Sequence, residues 1–446
     1  MDANRLRLFL NCCDLPKKTG ALKAIWIAWR VARIYRIERL RLTVLGFRED
    51  LMRDDKKSSV VERPDEGRRE FLRLAGMSLT APALFCVTVP NVLRRTKAPR
   101  VPKQKVIIVT FGGGARDDET FSTEGQENIP HLVKELIPRS TFLTRVVNGG
   151  ILGHYVATSS IASGVYETFD NFVSQHPANP TLFEYFRKGL DRPMEDAWVI
   201  APSNGFDGLG CSGNRSYGPH YGAEVVLPKR LLAAASGRSR ISEVENLLRD
   251  SYELPPSVLV SGDGDDIGLN RLSTLLKLKP EDLLALARTL SSPDELSLMI
   301  ARKLMKEVAP SLIFITLHDM DIAHAGAYSL YLEGIRRSDR LCAQLWEAVQ
   351  EEAEYKDRTT MFVLPDFGRD ADGDPGGNGF QHHRTGSAVA RTTWMMVLGP
   401  TVRENWVVDR RVESLDLVPT VASLMGFDAP LAAGRPIGEI AWAGNR

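Results

Sequence analysis

The chain has 446 residues, of which 43% are hydrophobic and 25% charged, as in an ordinary globular enzyme with room for a large core. Its formal net charge of +1 gives no argument for nucleic acid as a partner. Its five cysteines show no C-x-x-C spacing, which argues against a zinc ribbon. Only Cys211 and Cys342 fall in the main body, where a disulfide and two free thiols are both open.

Residues 1–66 form a basic N-terminal extension. Its segment from Ala21 to Leu42 is basic, aromatic and helix-like, which is typical of a helix lying on an anionic membrane surface. A mis-assigned start codon is the alternative, because a start at Met52 would leave an export signal of ordinary length.

Residues 67–97 contain a predicted export signal. The stretch GRREFLR, with Arg68 and Arg69 as its pair, resembles a twin-arginine signal, and an uncharged run from Leu74 to Val89 follows it. We therefore expect a periplasmic or cell-envelope protein. No clear A-x-A cleavage site follows the run, so the segment is either removed or kept as a membrane anchor. A basic amphipathic helix leading into a buried one is the alternative.

Residues 104–446 read as one α/β domain. Apolar, β-branched runs predict central strands of a sheet covered on both faces. Helix-like stretches separate them, which favours a mostly parallel central sheet sandwiched by helices. The predicted strands are Lys105–Thr110, Ala197–Ile200, Ser311–Leu317, Thr360–Leu364 and Thr393–Leu398, and examples of predicted helices are Ile129–Leu136, Thr181–Lys188 and Tyr328–Glu354.

The block from about residue 227 to 308 is mainly helical and charged, so we predict a helical insertion on the sheet domain. Within it, Gly262 to Asp266 has the composition of a calcium loop. It lacks the glutamate at the twelfth position of an EF-hand, and we therefore predict a turn there.

Acidic and imidazole side chains follow two of the predicted strands. Asp321 and His324 come just after one strand and are three residues apart, so they face the same way if the chain turns into a helix. Asp366 follows the next strand, and His382 and His383 come after a Gly-rich loop. Functional side chains of parallel sheets sit past the carboxyl ends of strands. Carboxylate and imidazole together predict a zinc or manganese site, and a hydrogen-bonded polar loop is the alternative.

The order of these segments, together with LDLVPTVASLMG from Leu415 to Gly426, resembles the alkaline phosphatase superfamily, in the branch with sulfatases, phosphodiesterases and phosphoglycerate mutases. The resemblance covers roughly Lys105 to Ile440. It implies two divalent metal ions, with zinc, manganese or calcium as candidates, and a Ser, Thr or Cys nucleophile acting on a phosphate or sulfate ester.

Carried over residue by residue, the resemblance assigns Asp321, His324 and either His382 or His383 to one metal. Asp366 matches the aspartate of the other metal's Asp-His pair, but Phe367 stands where histidine is expected. Gly113 likewise stands where the first strand normally ends in aspartate. The resemblance therefore predicts one retained metal site and one degenerate site.

The nucleophile position is also altered, since Gly149, Gly150 and Ile151 fall there. We predict Thr158 or Ser159 as a replacement nucleophile and Asp117 as a replacement metal ligand. A single metal activating water directly is the alternative. Guanidinium groups of Arg116 and Arg369 are candidates for holding the anionic substrate. The remaining candidate, His154, is predicted either to orient the site or to cap a turn.

Two hypotheses follow. The first is an exported metal-dependent hydrolase or transferase acting on a small-molecule, glycan or lipid anionic ester. The second is a non-catalytic envelope binding protein on the same fold. The retained Asp321, His324 and His383 favour the first, whereas Gly113 and Phe367 favour the second.

Overall fold

We describe the protein from a computed structural model. The chain divides into two units, Met1–Leu93 and Arg94–Arg446. The structure describes residues 104–171, 174–248 and 263–440, all of which belong to the second unit. The predicted basic extension and export signal lie outside these residues and stay predictions.

Eight strands form one mixed, mostly parallel sheet in the order β4-β3-β5-β1-β6-β7-β2-β8. Only β7 runs antiparallel to its two neighbours, β6 and β2. The α/β class predicted from the sequence is confirmed. The strands are β1 Lys105–Thr110, β2 Ser140–Val147, β3 Ala197–Ile200, β4 Glu224–Val226, β5 Leu312–Thr316, β6 Thr359–Leu364, β7 Thr392–Leu398 and β8 Trp406–Glu413.

Helices pack on both faces of this sheet. All three predicted helical stretches are helical, the first as a π-helix at Leu132–Leu136. The α-helices of the described chain are α1 His154–Ser163, α2 Leu182–Leu190, α3 Pro228–Arg240, α4 Glu245–Leu248, α5 Asp263–Leu276, α6 Pro280–Ala287, α7 Pro293–Glu307, α8 Tyr328–Glu351, α9 Ala388–Arg391 and α10 Leu417–Met425.

Alternation along the central strands builds two hydrophobic layers. On β1, Ile107 and Val109 join one core cluster while Val106 and Ile108 join the other. Successive side chains of a strand point to opposite faces, so a fully apolar strand fills both layers at once. This explains why the runs recognised in the sequence are central strands, whereas β2, β4 and β8, which carry charged or half-exposed residues, were not predicted.

The register of the three central strands positions the site. Thr110, the last residue of β1, pairs with Thr316 at the end of β5 and with Leu364 at the end of β6. Because these strands are parallel and end level with one another, the loops that follow them emerge side by side at one edge of the sheet.

Helices α3 to α7 occupy the segment between β4 and β5, where a helical insertion was predicted. One detail there is wrong, since Asp263 to Asp266 begin α5 rather than forming a turn. Both Cys211 and Cys342 are free thiols. Among the described residues, no helix has the length and apolar character needed to span a membrane.

Candidate metal centre

Four side chains from three chain segments meet where the central strands end. Asp321 and His324 lie on a 3₁₀ helix, Asp319–Ala325, that follows β5. His154 is the first residue of α1, and His383 comes from the long loop after β6. One ligand atom from each of these four residues falls within 4.8 Å of the others. The predicted convergence of Asp321, His324 and His383 is thus present in the structure.

Three of these groups have the arrangement of metal ligands. The Nε2 atom of His324 lies 2.7 Å from Nε2 of His383 and 3.1 Å from Oδ1 of Asp321. The other ring nitrogen of His383 donates to the carbonyl oxygen of Leu152 at 2.8 Å, which leaves the Nε2 lone pair facing the group. A hydrogen-bonded second nitrogen is what fixes the tautomer of a metal-ligating histidine.

The charge state of His383 also fits a cation. Burial, reinforced by the positive charges of His154 and Arg369, holds the pKa of His383 well below its usual range, so its imidazole is neutral. Tetrahedral zinc with bonds of about 2.0–2.1 Å places its ligand atoms about 3.3 Å apart, slightly wider than the spacing here. Small side-chain shifts suffice, and the residues present fit one divalent ion.

His154 has a different role in the cluster, because both of its ring nitrogens face carboxylates. Nδ1 lies 2.6 Å from Oδ2 of Asp366, and Nε2 lies 2.9 Å from Oδ1 of Asp321. Burial opposes protonation, but the two carboxylates outweigh it and raise the pKa of His154 to about 9. An imidazolium that donates from both nitrogens has no lone pair for a metal. His154 is therefore an internal cation between two acids.

Arg369 is a second internal cation at the same place. Its side chain is fully buried and lies 3.1 Å from Oδ1 of Asp321. The remaining donors bind backbone carbonyls of Gly114 and Phe380 at 3.0 Å each, and of Gly113. Every nitrogen of the guanidinium thus has a partner inside the protein, so the group ties the loop after β1 to Asp321.

The two positions where the resemblance expects further metal ligands are closed. Gly113 has φ +93°, and a Cβ atom added there would lie 2.7 Å from the backbone nitrogen of Asp321. Phe367 is fully buried, and its ring packs on those of His154 and His383 with centroids 4.6 and 4.5 Å apart. Close packing against the backbone of Asp321 leaves no room for a side chain at position 113, and the ring of Phe367 occupies the other position.

Some predicted ligands lie outside the cluster. Of the adjacent pair, His383 belongs to it, while His382 contributes backbone bonds to Gly379 and Asp370. Asp366 is connected to the cluster only by its hydrogen bond with His154. Asp117 lies in a 3₁₀ turn and is exposed as a whole residue. Its carboxyl group is nevertheless partly surrounded by protein, and this desolvation, together with the negative charge of Asp118, raises the pKa of Asp117.

The predicted catalytic residues are buried. Thr158 and Ser159 lie on α1, about one turn after His154, and are 0% and 3% exposed. Arg116 makes a bidentate pair with Glu119 and lies 2.7 Å from Asp372. The guanidinium of Arg116 is thus paired with acidic side chains of the protein itself. The roles proposed from the sequence for these three residues stay predictions.

His154 and Arg369 are the site residues whose roles sequence reasoning missed. Both had been noticed, one as a site or turn residue and the other as a substrate ligand. The contacts of both residues with Asp321 are long-range, since 167 residues separate His154 from Asp321 and 48 separate Arg369 from it. His154 reaches the cluster because α1 packs at the carboxyl ends of the central strands, and Arg369 reaches it from the loop after β6.

Comparisons with known proteins gave matches among solved structures alone. No protein-family model matches the chain, and no curated protein matches it. A protein of the alkaline phosphatase superfamily from Vibrio parahaemolyticus is 12% identical, with TM-score 0.44, covering 75% of this chain and 70% of that one. The phosphonate monoester hydrolase of Silicibacter pomeroyi is 15% identical, with TM-score 0.46 and coverages of 76% and 77%. The lipoteichoic acid synthase of Listeria monocytogenes is 11% identical, with TM-score 0.46 and coverages of 75% and 74%. Members of the alkaline phosphatase superfamily, which the sequence resembles, are thus among the solved structures that match this chain.

Proposed function

We propose that the protein is a metal-dependent hydrolase or transferase acting on a phosphate or sulfate ester. The observation that supports this most directly is the meeting of Asp321, His324 and His383 at the carboxyl edge of the central strands. The carboxyl end of a parallel sheet that carries two imidazoles and an acid is a typical place for a catalytic metal.

The chain's own residues prepare the site in three ways. Leu152 fixes the ring of His383 through its carbonyl oxygen, so that Nε2 faces inward. Phe367 forms an apolar wall against two of the imidazoles, which limits the access of water. Arg369 holds Asp321 in place. Asp321, His324 and His383 would hold a divalent ion, which would supply Lewis-acid polarisation of the ester and a water of lowered pKa.

We propose one metal ion per chain rather than two. The support is that Asp366, the acid of the second site, lies 2.6 Å from the cationic His154, and that Gly113 and Phe367 stand where further ligands are expected. A second ion at Asp366 would compete with this imidazolium. A single ion held by Asp321, His324 and His383 would then supply the activated water. Thr158 and Ser159 stay candidate nucleophiles, Asp117 stays a candidate metal ligand, and Arg116 stays a candidate for holding the anionic substrate.

A non-catalytic binding protein is the second candidate. The contacts of His154 and Arg369 with Asp321 favour it, because these two cations stabilise the Asp321 carboxylate without any metal. In that case the cluster would serve the fold, and the sheet edge would bind a ligand without converting it.

Metal analysis and ester assays separate the two. The full chain, purified without chelators, should contain about one equivalent of zinc or manganese, and Asp321→Ala should abolish it. p-Nitrophenyl phosphate and p-nitrophenyl sulfate should be cleaved by the wild type and not by Asp321→Ala. Metal-free protein that is silent on both esters would favour the binding protein.

We also propose that the protein is exported to the periplasm or cell envelope by the twin-arginine route, on the strength of the GRREFLR stretch. Replacement of Arg68 and Arg69 by lysine should leave the protein in the cytoplasmic fraction. Mature protein that still begins within residues 1–51 would argue against a start at Met52.

A further inference from the structure

A basic cleft of about 410 Å³ opens at the edge of the sheet where β7, β2 and β8 lie side by side. Its lining includes three arginines, Arg145, Arg391 and Arg411, and no acidic side chain among the described residues. The volume lies within the range of small-molecule sites, about 300–1,000 Å³. None of the three arginines belongs to the candidate metal centre, so the cleft is a separate feature of the molecule.

The arrangement of the strands explains why these arginines share one cleft. Arg145 on β2 pairs in register with Arg411 on the neighbouring parallel strand β8. Arg391 immediately precedes β7, on the other side of β2, and its carbonyl oxygen accepts from the backbone N–H of Asn148 at 2.9 Å. Neighbouring strands lie about 4.8 Å apart. Three adjacent strands therefore each supply one guanidinium group at the carboxyl end of β2.

The positive charge of the cleft is only partly neutralised by the protein. Among the described residues, the exposed side chain of Arg145 has no acidic partner. Arg391 donates from Nη1 to two backbone carbonyl oxygens of the loop after β2, at 2.8 and 2.9 Å, and these acceptors are uncharged. Arg411 pairs with Glu413 at 2.7 Å, and the other oxygen of this carboxylate accepts from Tyr166 at 2.6 Å. Three guanidinium groups against one carboxylate leave a local charge of +2.

This charge pattern favours a doubly negative ligand. Like charges directly opposite one another on two strands repel, so Arg145 and Arg411 destabilise the edge of the sheet unless an anion lies between them. A phosphate monoester carries a charge of about −1.5 to −2 at neutral pH, with three acceptor oxygens, and a sulfate ion is also doubly negative. Guanidinium groups are planar forks whose paired N–H groups match such oxygens. The lining therefore fits a tetrahedral oxyanion in charge and in hydrogen-bonding capacity.

We propose that the cleft is an anion-binding site, distinct from the metal centre, for a phosphate or sulfate group held by Arg145, Arg391 and Arg411. Such a group comes either from a free inorganic ion or from the phosphomonoester headgroup of an anionic lipid, and the chemistry of its recognition is the same. The site goes beyond the proposed function, because it needs neither a bound metal nor the cleavage of an ester.

Calorimetric titration of inorganic phosphate into the full chain tests the site. Arg145→Gln should weaken the binding of phosphate by about tenfold or more, since charge-assisted hydrogen bonds are lost. Arg139→Gln is the matched control, because it removes the same charge from an exposed arginine just before β2, at the opposite end of that strand. It should bind phosphate like the wild type. Phosphate bound at the metal centre would respond to neither substitution, so the difference between the two variants reports the cleft.

Thermal unfolding with and without phosphate separates an anion site from a merely structural role of Arg145. Without phosphate, Arg145→Gln should unfold at the same temperature as the wild type or a higher one, because the repulsion with Arg411 is gone. With phosphate, the unfolding temperature of the wild type should rise and that of the variant should not. A lower unfolding temperature of Arg145→Gln in both buffers would mean that Arg145 serves only the fold, which would overturn the proposal.

Two probes distinguish the sources of the anionic group, and Arg411→Gln serves as a second variant that should also weaken binding. Binding to vesicles of phosphatidylcholine and phosphatidic acid in equal parts, but not to inorganic phosphate, would assign the group to a lipid headgroup. Binding of inorganic phosphate without binding to these vesicles would assign it to a free ion. Either result supports the site only if Arg145→Gln loses it. Equal binding by the wild type and both variants, or binding of neither probe, would overturn the proposal.

Discussion

The imidazole Nε2 atoms of His324 and His383 lie 2.7 Å apart, although 59 residues separate them in the chain. Two aromatic nitrogens at this distance either share a proton or share a cation. The hydrogen bond from Nδ1 of His383 to Leu152 leaves the Nε2 lone pair of His383 facing His324 and Asp321, which is the arrangement that a shared cation requires.

Adjacent histidines give a direct test of this geometry. His383→Ala should weaken zinc binding by more than about 100-fold, the upper end for losing even an outer partner of a ligand. His382→Ala should bind zinc like the wild type, because His382 uses only its backbone here. Calorimetric titration of zinc into metal-free protein measures both. A larger loss of zinc affinity in His382→Ala than in His383→Ala would mean that His382, and not His383, is the zinc ligand.

Asp294 is expected to position the metal-ligand loop without touching a metal. Asp294→Asn turns one acceptor into a donor that faces the N–H groups of His318 and Asp319. Zinc affinity should fall by about tenfold, as for other losses of outer support. The bound-cobalt absorption spectrum should also shift, a change that general destabilisation would not produce. Glu281→Gln, exposed on α6, is the control, and an unchanged spectrum in Asp294→Asn would contradict the role.

Gly113 is expected to be required by close backbone packing. A Cβ atom there would lie 2.7–2.9 Å from atoms of Met320 and Asp321, and the position has φ +93°. Gly113→Ala should therefore reduce the free energy of unfolding by about 3 kcal/mol, combining strain and overpacking. Gly426→Ala is the matched control, since φ is +80° but nothing lies within 4 Å, and should cost about 1 kcal/mol. Urea denaturation compares them, and similar costs would argue against the steric explanation.

His154 and Asp366 should be strongly coupled in stability. Removing His154 leaves Asp366 buried without its cation, and removing Asp366 leaves the Nδ1 of the buried His154 without its acceptor, so His154→Ala and Asp366→Ala should each cost about 3 kcal/mol or more. The double variant should cost less than the sum by about 2 kcal/mol. Additive losses in a urea double-mutant cycle would mean that the 2.6 Å contact contributes no coupling.

Asp339 on α8 should give the protein a pH-dependent stability away from the site. Burial raises its pKa from 3.8 to about 6, opposed by hydrogen bonds from the backbone of Leu132 and His131. Between these values the folded state keeps a proton that the unfolded state has lost, so the unfolding free energy contributed by Asp339 falls as pH rises and is constant above about 6. Relative to the wild type, Asp339→Asn should gain stability from pH 4 to pH 6. Glu347→Gln, exposed on the same helix, should show no such trend in urea denaturation.

The α/β class and the central strands followed from the sequence because they depend on local pattern. A fully apolar β-branched run such as Lys105–Thr110 fits a strand buried on both faces and little else. The edge strand β8 escaped prediction because five of its eight residues are exposed and its pattern is mixed. Burial is decided by neighbouring strands, which the local sequence does not specify.

For the candidate site, the sequence by itself determined which groups follow the central strands: Asp321 and His324 after β5, and Asp366 and, farther along the loop, His383 after β6. Their grouping follows from the rule that parallel strands end at one edge. Only the tertiary structure decided that His154 and Arg369 insert among them, because α1 and the loop after β6 reach the edge through long-range packing. Contacts of this kind depend on chain paths separated by tens to hundreds of residues, and no local spacing encodes them.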